Sequence, residues 1–279
     1  MGSEQGSGQD PQVQEVGINH LHNPFIFLFP SFHSMFWRLL DTDLAPPSYT
    51  AACDEAIVKA RQKKLVPDTL HLYRRDRPTI SLGYFERVDD TVNLEAAERR
   101  GVQLIRRFSG GSAIYTDPDQ IIYAAVMRRE LLPEDPNEIY EIICSALIRA
   151  MDKLGLDAEF KPVNDVLING RKVSGSAQKI EKDVVIQHGT VIVDCDFDMM
   201  FDVLRTEGKK VRSREGMTSI SKELGRKVLM DEVKTALVQG FEETLCVSIR
   251  KGSLTHYEER CIEQLVENKY GTDKYTRLR

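Results

Sequence analysis

Apolar positions recur at helical spacing most clearly from Pro136 to Leu154, where Ile139, Ile142, Ile143, Ala146, Leu147, Ala150, Met151 and Leu154 share one face. Asp135 and Pro136 at the start, Glu138 three residues after the aspartate and Gly155 at the end predict a helix opened by a capping box and closed by glycine. Cys144 falls beside the apolar stripe, which suits packing. The same period predicts helices from Phe197 to Thr206, Asp231 to Leu245 and His256 to Tyr270. A short one runs from Asn93 to Arg100 and stops at Gly101. Shorter runs of Val, Ile, Leu and Tyr predict strands at Leu70 to Tyr73, Thr79 to Gly83, Val102 to Arg106, Gln120 to Met127 and Val184 to Val193. Val166 to Asn169 and the run from Val173 form a hairpin about Asn169-Gly170, since both turn residues tolerate positive φ. No repeat is visible, and strands and helices mix without strict βαβ alternation. The fold class is therefore α+β, with mixed and antiparallel sheets flanked by helices.

The ends read differently. Met1 to Gln14 is rich in Gly, Ser and Gln and nearly free of apolar residues. Residues 1–34 are expected to be a disordered extension or the product of an upstream misread start. The domain would occupy 35–255, with 256–279 a helical tail belonging to it.

Composition narrows the function. A net charge of -5 disfavours non-specific binding to nucleic acid or a membrane surface. No apolar run is long enough to span a bilayer, and the run from Phe25 to Phe29 stops at Pro30. Five widely spaced cysteines without a C-x-x-C pair suggest neither a disulfide framework nor a zinc module, and fit the cytoplasm.

Three segments carry chemistry. In the first, Arg106-Arg107-Phe108-Ser109-Gly110-Gly111-Ser112, a strand ends in two arginines and a glycine pair, a combination that can wrap an anion. A plain Gly-Gly hairpin turn between Val102–Arg106 and Gln120–Met127 explains it equally well. The second is Asn164-Asp165 with Arg171-Lys172-Val173-Ser174-Gly175-Ser176-Ala177. Strict alternation puts Lys172 with Ser174 and Ser176, and Gly175 and Ala177 on the other face, a small-residue face that a ligand could approach. An exposed hairpin with a surface lysine is the ordinary alternative. The third is His188-Gly189-Thr190 inside an apolar strand, where a lone histidine is more often structural than catalytic.

Together, Arg106 to Asp117, Asn164-Asp165, Arg171 to Ala177 and His188 to Thr190 resemble the lipoate–protein ligase A family in order and separation. The likeness is closest to stand-alone archaeal and bacterial catalytic subunits. It extends to Trp37–Thr42 and Asp54–Ala56, like the family's opening strand and first helix, and to Leu72–Gly83, like its next hairpin, with the charged turn Arg74–Pro78 between the strands, covering roughly 35–270. It implies a class II biotin/lipoate ligase-like catalytic domain. The implied reaction is ATP-dependent activation of lipoate to lipoyl-AMP, then transfer to a lysine of an acceptor domain. Lys172 would be the catalytic cation on the carboxylate and α-phosphate. Arg107, Ser112, Ala113, Ile114, Tyr115 and Asp165 would hold the nucleotide, with Asp165 a magnesium ligand or a ribose contact. Gly110, Gly111, Gly175, Ala177 and His188 would line the lipoyl path. A loop in 207–216, with Lys209, Lys210, Arg212 and Arg214, would close over the adenylate or simply be a solvated basic loop. Implied cofactors are ATP and Mg²⁺. Implied partners are lipoyl acceptor domains of 2-oxoacid dehydrogenase E2 subunits and glycine cleavage H protein. A separate accessory subunit would replace a C-terminal domain found in fuller family members.

Two positions depart from the family pattern. Ser112 stands for a third glycine, and matters if that position needs positive φ. Thr116 stands for a histidine and removes a polar contact. Octanoyl transferases of the same superfamily share these motifs but form an acyl-enzyme on a cysteine shortly before the Gly-Arg-Lys segment. Glu159 to Asp165 contains none, which favours ligation. A non-catalytic lipoate-binding subunit is the third reading, opposed by the presence of Lys172, Arg107 and both glycines.

Overall fold

The computed structural model describes residues 36–205 and 213–279. The extension expected at 1–34 and Lys209, Lys210 and Arg212 of the basic loop lie outside them. The elements, in order, are β1 (Phe36–Ala45), α1 (Pro47–Gln62), β2 (Thr69–Arg75), β3 (Thr79–Leu82), α2 (Val88–Thr91), α3 (Leu94–Arg99), β4 (Gln103–Arg106), β5 (Ile114–Thr116) and β6 (Gln120–Arg128). Then come α4 (Pro136–Lys153), β7 (Ala158–Lys161), β8 (Asp165–Ile168), β9 (Arg171–Glu181), β10 (Val184–Ile192), α5 (Phe197–Val203), α6 (Ile220–Leu224), α7 (Met230–Leu245), β11 (Ser248–Lys251), α8 (His256–Leu265) and α9 (Asp273–Thr276).

An eight-stranded sheet runs β11-β1-β2-β6-β10-β9-β8-β7, and a three-stranded sheet runs β4-β3-β5. In the large sheet β1 lies parallel to β2 and β11, and the remaining pairs are antiparallel. This is the α+β architecture that the pattern predicts. β10 is buried along its whole length and β6 along all but Arg128, hence their nearly unbroken apolar runs. On one face, Ala52, Ala56 and Ile57 of α1 and Ile262 and Leu265 of α8 form a core with Ala124, Val126 and Ile186. On the other, Tyr123 meets Phe241 of α7, which itself packs on α4.

Most predicted elements appear within a residue or two, and Asn169 and Gly170 take φ 51° and 71° as their turn requires. Three expectations need correction. Asp135 caps α4 through the Asn137 N–H at 2.9 Å, so the capping box with Glu138 does not form. β2 and β3 are not a hairpin: β2 already has β1 and β6 as neighbours, so the charged turn carries the chain into the small sheet. The glycine-pair segment is likewise not a turn between β4 and β6, because β4 pairs with β3 and the unpredicted β5 intervenes. The helix from His256 ends at Leu265 and continues as a π-helical turn over Val266–Tyr270.

Candidate active site

A cavity of ≈ 370 Å³ opens on the α1 face of the large sheet, roofed by the small sheet and the Arg107–Ser112 loop. Asp165, Gly175, Thr190, Ile122 and Tyr73 stand opposite one another on β8, β9, β10, β6 and β2, and all five line it. The cavity therefore follows a row across the sheet, with four strand steps of about 4.8 Å each from Asp165 to Tyr73.

Lys172 stands at the Asp165 end. A register shift in the β8–β9 pairing sets Leu167 against Lys172 and Val166 against Ser174, leaving Val173 extra. This bulge cancels the strict alternation read from sequence and turns Lys172 to the same side as Gly175. Its ammonium lies 2.5 Å from Asp165 Oδ1. A Cβ on Gly175 would fall 2.5 Å from both Cε and Nζ of Lys172, so glycine is what lets the lysine lie across the strand. Gly175→Ala is expected to lower kcat/KM by roughly 100-fold, since an ångström of misplacement costs about that much. The melting temperature should barely move. A variant with unchanged turnover would contradict this placement of the lysine.

The hairpin that carries Lys172 is anchored from outside. Glu223 of α6 accepts from Asn169 Nδ2 at 2.9 Å, from Arg171 at 2.7 Å and from the Thr218 hydroxyl. The Thr218 N–H donates to the Lys172 carbonyl at 3.0 Å.

The loop opposite is shaped by its arginines. Arg107 donates to the carbonyls of Ser81 (2.7 Å), Gly110 (2.7 Å) and Ser112 (2.9 Å) while lining the cavity. Arg106 is wholly buried and donates to the carbonyls of Gly83, Glu86 and Thr276, tying the loop to α9. A Cβ on Gly83 would lie 1.8 Å from the Gly111 carbonyl oxygen, so these two backbones can meet only without a side chain. Gly111 takes φ +87°, whereas Ser112 is not at positive φ, so serine fits there without strain.

Beneath the loop lies a buried polar network. Asp54 of α1 accepts from His71 Nδ1 at 2.9 Å, from the Tyr73 hydroxyl at 3.0 Å and from His188 Nδ1 at 3.1 Å. His188 Nε2 is 2.6 Å from Ser109 Oγ, so both ring nitrogens of this histidine are engaged. Burial alone would raise the Asp54 carboxyl, but the hydrogen bonds from the two histidines bring it well below the usual carboxylate range. Burial would likewise lower His71, yet Cys53 and Asp54 hold it up at about 10. The sign follows: the stability from a raised histidine is complete below its ordinary value of 6.5 and drains as pH climbs toward 10. That from Asp54 is present above 3.8 and lost in acid. The melting temperature should therefore fall from pH 6.5 to 10, and Asp54→Asn should flatten that slope. A wild-type melting temperature constant across this range would contradict the assignment.

Of the residues singled out from sequence, Lys172, Arg107, Ser112, Ile114, Tyr115, Asp165, Gly111, Gly175, Ala177 and His188 all line the cavity. Gly110 and Ala113 do not: Gly110 serves through its carbonyl, and Ala113 packs in the core under the small sheet. Sequence reading missed Asp54, Tyr73, Arg75, Ser81 and Gln120 as lining residues. Among the described residues no group of three or more His, Cys, Asp or Glu side chains is placed to hold a metal ion. No described helix is long and apolar enough to cross a membrane.

The cavity runs across the large sheet with Lys172 at one end, and Lys161 also stands in its wall. The lipoyl protein ligase A/B catalytic domain matches residues 46–242, and the chain belongs to that family. An octanoyltransferase LipM from Kyrpidia tusciae is 34% identical over 86% of this chain and 97% of its own. One from Halalkalibacterium halodurans is 30% identical over 86% and 98%. Among solved structures, a bipartite lipoate–protein ligase from Thermoplasma acidophilum superposes with TM-score 0.79 at 29% identity, over 88% of this chain and 98% of that one. A lipoate–protein ligase A bound with ATP gives 0.79 at 28%, over 87% and 99%.

Proposed function

We propose that this enzyme is an ATP-dependent lipoate–protein ligase. A lipoate oxygen attacks the α-phosphorus of ATP, forming lipoyl-AMP as pyrophosphate leaves. The amine of an acceptor lysine then attacks the acyl carbon, forming the amide as AMP leaves and the nitrogen gives up a proton. Lys172 would stabilise the negative charge that both steps concentrate between carboxylate and phosphate. Asp165 would hold Mg²⁺: a lone carboxylate at the cavity end suits an ion that takes one or two protein carboxylates and completes its shell with phosphates and water. Bound there, the ion would supply charge neutralisation of the polyphosphate.

The observation that carries this reading is the placement of the cysteines. All five lie among the described residues and none lines the cavity. Cys144 is buried behind the sheet, and burial pushes its thiol up to about 12, far from the thiolate a nucleophile needs. The cavity offers a fixed cation and no sulfur to carry an acyl group, which suits activation by adenylation. The transferase names of the 30–34% identical relatives favour a second reading, octanoyl transfer from a thioester. Lipoyl acceptor domains are the proposed partners, by analogy with the bipartite Thermoplasma ligase and its E2 lipoyl domain. An accessory subunit is proposed on the same analogy.

Intact-mass analysis of an acceptor domain separates the two. The domain should gain a lipoyl group from lipoate with Mg²⁺ and ATP, or from synthetic lipoyl-AMP if the accessory subunit is needed. It should gain nothing from an octanoyl thioester without ATP. Acylation from the thioester, with an adduct on this protein, would establish the transferase instead.

A further inference from the structure

Arg75, at the end of β2, is 4% exposed and lines the cavity at the end away from Lys172, two residues beyond Tyr73. One of its terminal nitrogens donates to the Thr116 hydroxyl at 2.9 Å. Its Nε is buried with no hydrogen-bond partner, and the hydroxyl of Ser81, in the same cavity wall, is buried and unpartnered too. Among the described residues no carboxylate pairs with Arg75. Asp54 and Tyr73 act on the guanidinium electrostatically, but the Asp54 carboxylate is already shared by two histidines and Tyr73 and leaves Nε without an acceptor. A buried guanidinium N–H without an acceptor, beside a spare hydroxyl, is costly unless something in the cavity accepts from it. Gln120 and Thr190 add polar surface to the cavity wall, so its lining is not the plain hydrocarbon that a saturated alkyl tail prefers.

We infer that Arg75 and Ser81 form an end-group subsite selecting medium-chain acids with hydrogen-bond acceptors at the end remote from the reacting carboxylate. Acids that end in a methyl group are disfavoured. This rests on the acid-activating reading above only for which end reacts. Lipoate meets the requirement through its ring sulfurs, and a dicarboxylic acid through oxygen. Octanoate places a methyl group against the unpartnered, buried Nε–H of Arg75. Thr116 is part of the device, because its hydroxyl fixes the guanidinium plane where the family pattern has histidine.

Titration calorimetry on the full chain, with no ATP, reads the subsite without turnover. The probes are octanoate, lipoate and octanedioate. Lipoate and octanedioate are expected to bind at least about tenfold more tightly than octanoate, the lower part of the range for leaving a buried donor unpaired. Arg75→Leu should abolish or reverse that order, and Ser81→Ala, which removes no existing hydrogen bond, should narrow it without loss of fold. Octanoate binding as tightly as the other two, which would mean that water alone serves these groups, overturns the inference. So does an Arg75→Leu protein that folds but weakens all three acids alike. If the binding order holds while no acid supports AMP formation, the subsite stands and the ligase reading falls.

Discussion

Lys172→Met is expected to lower acyl-adenylate formation and acyl transfer by about 10²–10³-fold in kcat, the usual loss when one preorganised electrostatic contact to a transition state is removed. The fold should be untouched. The side chain is about one-third exposed and its charged partner is the single carboxylate Asp165. Binding of the free acid should weaken far less than turnover, because the cation is needed most where charge gathers between carboxylate and phosphate. Stopped-flow or quench-flow measurement of AMP formation, beside calorimetry of acid binding, checks the split. An equal loss in binding and turnover would reduce Lys172 to a carboxylate anchor.

Asp54→Ala is expected to cost about 3–5 kcal/mol, because it breaks a buried charge pair and leaves His71, His188 and Tyr73 without their common acceptor. For a chain of this size that is a fall in melting temperature of roughly 6–20 °C. The consequence for function is separate from stability. His188 is held between Asp54 and Ser109, and Ser109 lies in the Arg107–Ser112 loop that roofs the cavity. Loss of Asp54 therefore frees the roof as well as the core. Asp54→Asn keeps the shape and one acceptor, so it should recover part of the stability. Differential scanning calorimetry of the two variants tests this, and a melting temperature of Asp54→Ala within a degree or two of wild type would contradict it.

Much of this site could be read from the chain, and the remainder depended on pairings between distant segments. The Asn169-Gly170 turn and the small residues after it marked the hairpin that carries Lys172 to the cavity, because those signals are local. The side on which Lys172 falls was not legible: one extra residue at Val173 inverts the parity of the strand, and nothing in the local sequence announces a bulge. Nothing local singled out Asp54 as a site residue, since its partners His71 and His188 come from strands 17 and 134 residues away. Arg75 sat in a run of charged residues that reads as a solvated turn, and only the crossing from β2 to the small sheet buries it against Thr116. The glycine pair read equally as an anion-wrapping loop or a hairpin turn. Its partner, however, is Gly83 rather than a neighbouring strand of a hairpin.

Pyrophosphate exchange reports on adenylation alone, with no acceptor domain in the reaction. Radiolabel from pyrophosphate should enter ATP only when this protein, Mg²⁺ and lipoate are all present, with the accessory subunit added if the chain requires it. The rate should collapse in Lys172→Met. No exchange under any of these conditions, together with acyl transfer from an octanoyl thioester in the absence of nucleotide, would contradict the ligase account.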